Sequence, residues 1–121
     1  MTNFSDDRRE TRYPFHWTVA IVFDSTASQD TYHGVTYELS LSGCSILMDD
    51  NVFSDQPVSI LLAMPLDHPG QKKRVVEVKG RMVYTVLSAG HQQFRCGITF
   101  IKFKGNGRAA LERAIKHRVI A

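Results

Sequence analysis

Two short stretches of this 121-residue chain carry side chains suited to gripping a polyanion. Near the N-terminus, Arg8, Arg9 and Arg12 fall within five positions. A guanidinium is a planar fork of donors that fits phosphate oxygens and the O6/N7 edge of guanine. Taken alone, such a cluster also fits a solvated basic arm. Farther along, Glu38-Leu39-Ser40-Leu41-Ser42-Gly43 joins two apolar runs. In an extended strand residues i and i+2 share a face, so Glu38, Ser40 and Ser42 are expected on one side and Leu39 and Leu41 on the core side. A carboxylate accepts hydrogen bonds, a hydroxyl donates or accepts, and glycine lets another group approach the backbone closely. On periodicity alone, the same row fits a solvated strand face that ends in a turn.

The remaining reactive residue types form no such constellation. His16, His33, His68, His91 and His117 are scattered without a metal-ligand spacing, so no metal site is expected. Asp6-Asp7 and Asp49-Asp50 read as tail and turn residues. No nucleophile elbow accompanies Ser40 or Ser42, so nothing supports an enzyme. Cys44 and Cys96 both lie in apolar strand patterns and read as reduced core residues of a cytoplasmic protein. The formal net charge of +3 suits an anionic ligand but is too small to argue for genomic nucleic acid. No apolar run is long enough to span a membrane, and the N-terminus has no signal-peptide pattern.

The elements that must position these residues are mostly strands. Alternation predicts strands over Trp17–Asp24, Thr31–Leu41, Cys44–Met48, Val58–Met64, Val75–Ser88 and Gln93–Lys104, with Gly34 a candidate bulge. Pro65 stops the fourth because it has no N–H for a ladder. Leu111, Ala114, Ile115 and Val119 recur at helical spacing, predicting a helix over Arg108–Val119 with Asn106 as its N-cap. The expected fold is mainly all-β, a six-stranded antiparallel barrel with a C-terminal α-helix, because closure removes unpaired edges. The strand pattern alone also allows an OB-like barrel. Residues 1–15 are expected to be a flexible arm carrying the arginines, and 16–121 the barrel and helix.

Taken together, the two stretches resemble the PilZ family, which carries an RxxxR motif followed by a [D/N]xSxxG motif on its barrel. Here these are Arg8-Arg9-Glu10-Thr11-Arg12 and Glu38-Leu39-Ser40-Leu41-Ser42-Gly43, with Glu38 in place of Asp or Asn. Lys79-Gly80-Arg81-Met82-Val83-Tyr84 and Arg95-Cys96-Gly97-Ile98-Thr99-Phe100 resemble two further strands of that family. The resemblance runs from about Arg8 to about Ile115. It implies a cyclic di-GMP receptor and adaptor whose arm orders on the ligand and signals to a partner protein, in bacterial motility, biofilm or exopolysaccharide control. By that resemblance Arg8, Arg9, Arg12, Glu38, Ser40 and Gly43 are the ligand-binding residues, and no cofactor beyond the ligand is implied. Two alternatives stand beside it. One is a PilZ-like protein-interaction module that binds no nucleotide, and the other an oligonucleotide-binding barrel.

Overall fold

The structure is a computed structural model and describes residues 13–24, 29–65, 74–88, 90 and 92–120. Six strands and one helix follow in order: β1 Thr18–Asp24, β2 Gln29–Leu39, β3 Gly43–Met48, β4 Val58–Met64, β5 Arg74–Ser88, β6 Gln93–Phe103 and α1 Gly107–Ile120. Every pairing is antiparallel, and the strands close into a barrel in the order β1-β2-β3-β6-β5-β4. The β1–β4 and β3–β6 pairings are non-sequential, and they join the β1-β2-β3 meander to the β4-β5-β6 meander along both edges. Among the described strands, closure leaves no open edge for another chain to extend.

Inward-facing residues alternate along each strand, as a period of two requires. Val19, Ile21, Leu39, Ile46, Met48, Ile60, Leu62, Val76, Val78, Met82, Cys96 and Ile98 form one core. Burying an aliphatic side chain of this size contributes about 1.5–3 kcal/mol, so these positions dominate the stability of the barrel. Both cysteines are buried and neither is in a disulfide. Loss of solvation pushes the Cys96 thiol up to about 12, which leaves it protonated and unreactive at neutral pH.

The helix begins one residue earlier than its sequence pattern suggests. The Asn106 carbonyl accepts the first helical bond from Ala110 N–H at 3.1 Å, as an N-cap residue does. Asn106 Oδ1 accepts a bond from Arg74 at 3.1 Å, which ties the helix start to β5. Ala110, Leu111 and Ile115 are buried and close the core from outside.

Three bulges depart from simple alternation. On β2, the register passes from Thr36↔Ile46 to Glu38↔Ser45, so Tyr37 is the extra residue. The sequence reading placed a bulge at Gly34 instead. Gly34 is regularly paired, and a Cβ there would meet the Leu47 carbonyl at 2.5 Å, so its glycine serves close strand approach. On β5 and β6, Val83 and Ile101 are the extra residues, and both are left exposed, at 57% and 52%. The second strand also ends at Leu39, not at Leu41. Among the described residues no helix is long and apolar enough to cross a membrane.

Candidate functional site

The chain enters the barrel along β2. Tyr13, Phe15 and Trp17 stack in series, with ring centroids 5.6 and 5.7 Å apart and planes within 16° and 5° of parallel. Trp17 is buried and anchors the stack in the core. Thr36 locks the entry. Its N–H donates to Trp17 O at 2.8 Å, and its hydroxyl accepts from Trp17 N–H at 2.7 Å and donates to the Phe15 carbonyl. Above this, Tyr13 and Leu39 form an isolated bridge and exchange both backbone bonds at 2.9 Å.

That bridge fixes the relation between the two motifs. Arg8, Arg9 and Arg12 lie outside the described residues. Tyr13 directly follows Arg12, and Leu39 lies between Glu38 and Ser40. The covalent chain therefore limits how far the arginine stretch can lie from Glu38.

Glu38 sits on the outer side of the barrel, opposite Ser45. The extra residue at Tyr37 breaks the alternation, so Tyr37 and Glu38 share that outer side. Across β3 and β6 the outer row continues through Ser45 to Gly97 and then Tyr84. The Tyr84 ring covers Gly97, where a Cβ would come within 2.2 Å of the ring. Beside this row, the Arg95 guanidinium lies over the Tyr37 ring at 5.4 Å from its centroid, a cation–π geometry. Arg95, Tyr37, Ser45 and Tyr84 were not singled out from the sequence. Their meeting depends on the β3–β6 pairing, which no local pattern reveals.

Ser40 and Ser42 do not continue the outer row, contrary to the alternation expected of them. β2 has ended, and Ser40 is only 2% exposed. Its Oγ accepts from Ser42 N–H at 3.2 Å, donates to the Gly43 carbonyl at 3.3 Å and lies 3.2 Å from Ser42 Oγ. Its N–H also donates to the Gly43 carbonyl at 2.9 Å. In this structure the hydroxyl staples the tight turn that delivers the chain into β3. Gly43 lies where a Cβ would meet the Ile98 carbonyl at 2.3 Å. What its missing side chain admits here is the backbone of β6.

Next to this turn a cavity of about 480 Å³ is lined by Ser42, Phe100, Phe103, Lys102 and Arg108. It adds two cations beside the motif. Among the described residues no group of His, Cys, Asp or Glu is arranged to hold a metal ion.

A family profile for the PilZ domain matches residues 6–117. The chain belongs to the PilZ family. This PilZ domain resembles the Bacillus subtilis inhibitor of motility (MotI/DgrA) with a TM-score of 0.72 at 13% identity, over 93% of this chain and 51% of that one. It resembles Escherichia coli YcgR in complex with c-di-GMP with a TM-score of 0.66 at 18% identity, over 91% of this chain and 45% of that one. The chain thus spans about half the length of these two proteins. The PilZ domain of YcgR, also with c-di-GMP, matches at a TM-score of 0.62 and 17% identity, over 91% of this chain and 89% of that one. Identities this low bear on the fold alone. Among curated proteins, none matches the chain in sequence.

Proposed function

We propose that this PilZ domain is a cyclic di-GMP receptor that binds its ligand between the arginine stretch and the outer face of β2, and passes the signal to a partner protein. The observation that carries the reading is the Tyr13–Leu39 bridge, which ties the start of the barrel to the strand bearing Glu38. Arg8 and Arg12 supply forked donors to phosphate or to guanine O6 and N7, and Arg9 adds charge or stacks on a base. Glu38 accepts guanine N1–H and N2–H. Ser40 and Gly43 act mainly by shaping the turn that follows. A polyanion drawn between arm and barrel orders the arm, and the reshaped surface is what a partner reads. This is recognition, with no catalysis and no metal cofactor, in a cytoplasmic setting. Several structural relatives carry c-di-GMP, which supports the ligand class.

One observation favours the second reading, a module working through protein contacts without nucleotide. Glu38 replaces the Asp or Asn of the motif, adding a methylene and one rotatable bond to order. Calorimetric titration separates the two. Saturable binding of cyclic di-GMP, absent with GTP and with a single-stranded oligonucleotide, supports the receptor. Arg12→Ala is then expected to weaken it by about tenfold or more, the loss of one charge-assisted hydrogen bond. No binding of cyclic di-GMP rejects the receptor reading and leaves the interaction module.

A further inference from the structure

Among the described residues, three buried side-chain polar atoms lack any hydrogen-bond partner: Ser45 Oγ, Arg95 Nε and Thr85 Oγ1. Buried polar groups are almost always paired in folded proteins, so each exception needs a reason. Thr85 pairs with Cys96 on the inner side, near one end of the barrel. Ser45 and Arg95 instead belong to the outer patch that carries Glu38. Ser45 stands directly opposite Glu38 on one side and Gly97 on the other. Arg95 lies two residues before Gly97, with its guanidinium on Tyr37. Ser45 is 2% exposed, and as an outward strand residue it has no packing need for a hydroxyl. Alanine would fill the same space without burying an unpaired O–H.

We infer that Ser45 and Arg95 read the carbonyl edge of a guanine and set the preference of this site for guanine over adenine. The inference rests on the cyclic di-GMP reading above. Both unpaired groups can donate, and both lie on the β3–β6 side of an acceptor, Glu38. Guanine offers the complementary order: N1–H and N2–H donors face the carboxylate, while O6 and N7 accept beside them. Adenine places an amino donor where guanine has O6. Adenine keeps N7 as an acceptor, so against it the donor that meets O6 stays unpaired, and a site with a buried unpaired group rejects such an analogue strongly. The Tyr37 ring contacts the guanidinium, 5.4 Å from its centroid, so the group is held in place before the ligand arrives.

The test compares cyclic di-GMP with cyclic di-AMP by competition against a fluorescent cyclic di-GMP. It uses the wild-type chain, Ser45→Ala, Arg95→Lys and Arg95→Gln, with melting temperatures alongside. Wild type is expected to prefer cyclic di-GMP. Arg95→Lys keeps the charge but loses the fork. Like Arg95→Gln, it is expected to weaken cyclic di-GMP by about tenfold or more while leaving cyclic di-AMP nearly unchanged. Ser45→Ala is expected to weaken cyclic di-GMP without lowering the melting temperature, because it removes an unpaired buried hydroxyl. A merely structural role for Ser45 would lower both. If the variants weaken both ligands equally, Arg95 contacts phosphate and the inference fails. It also fails if the variants change neither ligand while wild type binds cyclic di-GMP, and the receptor reading then survives. If wild type binds neither ligand, both readings fall together.

Discussion

Tyr13 and Leu39 exchange both of their backbone hydrogen bonds, each at 2.9 Å, although 26 positions separate them in the chain. The pair lies outside the regular ladders, as an isolated bridge one residue beyond Arg12 and one residue beyond Glu38. It joins the two motifs through main chain, so side-chain changes alone cannot undo it. Replacing Tyr13 with proline removes its N–H and with it one of the two bonds. A hydrogen bond of this kind contributes about 0.5–1.5 kcal/mol net. Tyr13→Ala keeps both bonds and loses only the stack on Phe15. On the receptor reading, Tyr13→Pro is expected to weaken cyclic di-GMP severalfold more than Tyr13→Ala, measured by calorimetry. Equal losses in the two variants would show that the ring matters and the bridge does not.

Gly97 and Tyr84 predict a stability effect of opposite kind. A methyl at Gly97 would stand 2.2 Å from the Tyr84 ring, so the ring must swing off the sheet. Overpacking of this sort costs about 1–3 kcal/mol. Gly97→Ala is expected to lower the urea midpoint by a corresponding amount. In a Tyr84→Ala background the same change should cost much less, because the clash is gone. A double-mutant cycle with no coupling between the two positions would contradict the contact.

Most of the fold was legible in the sequence because it is written in alternation. The strand Val58–Met64 is bounded by Pro57 and Pro65, and its observed limits coincide with the expected ones. The long strand ending at Ser88 and the strand beginning at Gln93 were legible for the same reason, with a turn between apolar runs. The site was legible only in part. Glu38 could be placed on an outer face, but the Tyr37 bulge and the turn stapled by Ser40 both break the period from which Ser40 and Ser42 were placed. A bulge costs one residue of register and leaves no compositional mark here, since Tyr37 is an ordinary strand residue. Arg95 and Ser45 were missed because their neighbours are set by the non-sequential β3–β6 pairing.

The outer surface on the far side of the barrel should show a pH dependence. Asp24 Oδ2 accepts from Lys79 Nζ at 2.7 Å and from Ser59 Oγ at 2.9 Å. The Lys79 hydrogen bond first, then that of Ser59, hold the Asp24 carboxyl below its ordinary value of 3.8. A carboxylate whose folded value is depressed contributes stability that is complete above its unfolded value and is lost as pH falls through the folded one. The pair is largely solvent-accessible, so its contribution at neutral pH is expected to be small, about 0.2–1 kcal/mol. Asp24→Asn should therefore be slightly less stable than wild type at pH 7. The gap should close as pH falls below about 4, in denaturant titrations over that range. A gap that widened toward acid would reverse the assigned direction.

The substitution at the head of the second motif gives the sharpest prediction for binding. Glu38 keeps the acceptor chemistry of an aspartate, but its oxygens stand one methylene farther from the strand. An additional rotor must also be fixed when a base docks, and a side chain of this length carries an ordering cost of up to about 1.5–2 kcal/mol. The Tyr37 bulge puts this longer side chain on the outer side beside Tyr37. Shortening it to aspartate lowers the ordering cost. It also brings the acceptor closer to the strand, where Ser45 stands opposite on β3. On the receptor reading, Glu38→Asp is expected to tighten cyclic di-GMP by severalfold and Glu38→Ala to weaken it by about tenfold, both measured by calorimetry at fixed salt. If Glu38→Asp weakens the ligand as much as Glu38→Ala does, the geometry of this site is tuned to the longer carboxylate. Glu38 would then be a positive element of recognition and not a compromise.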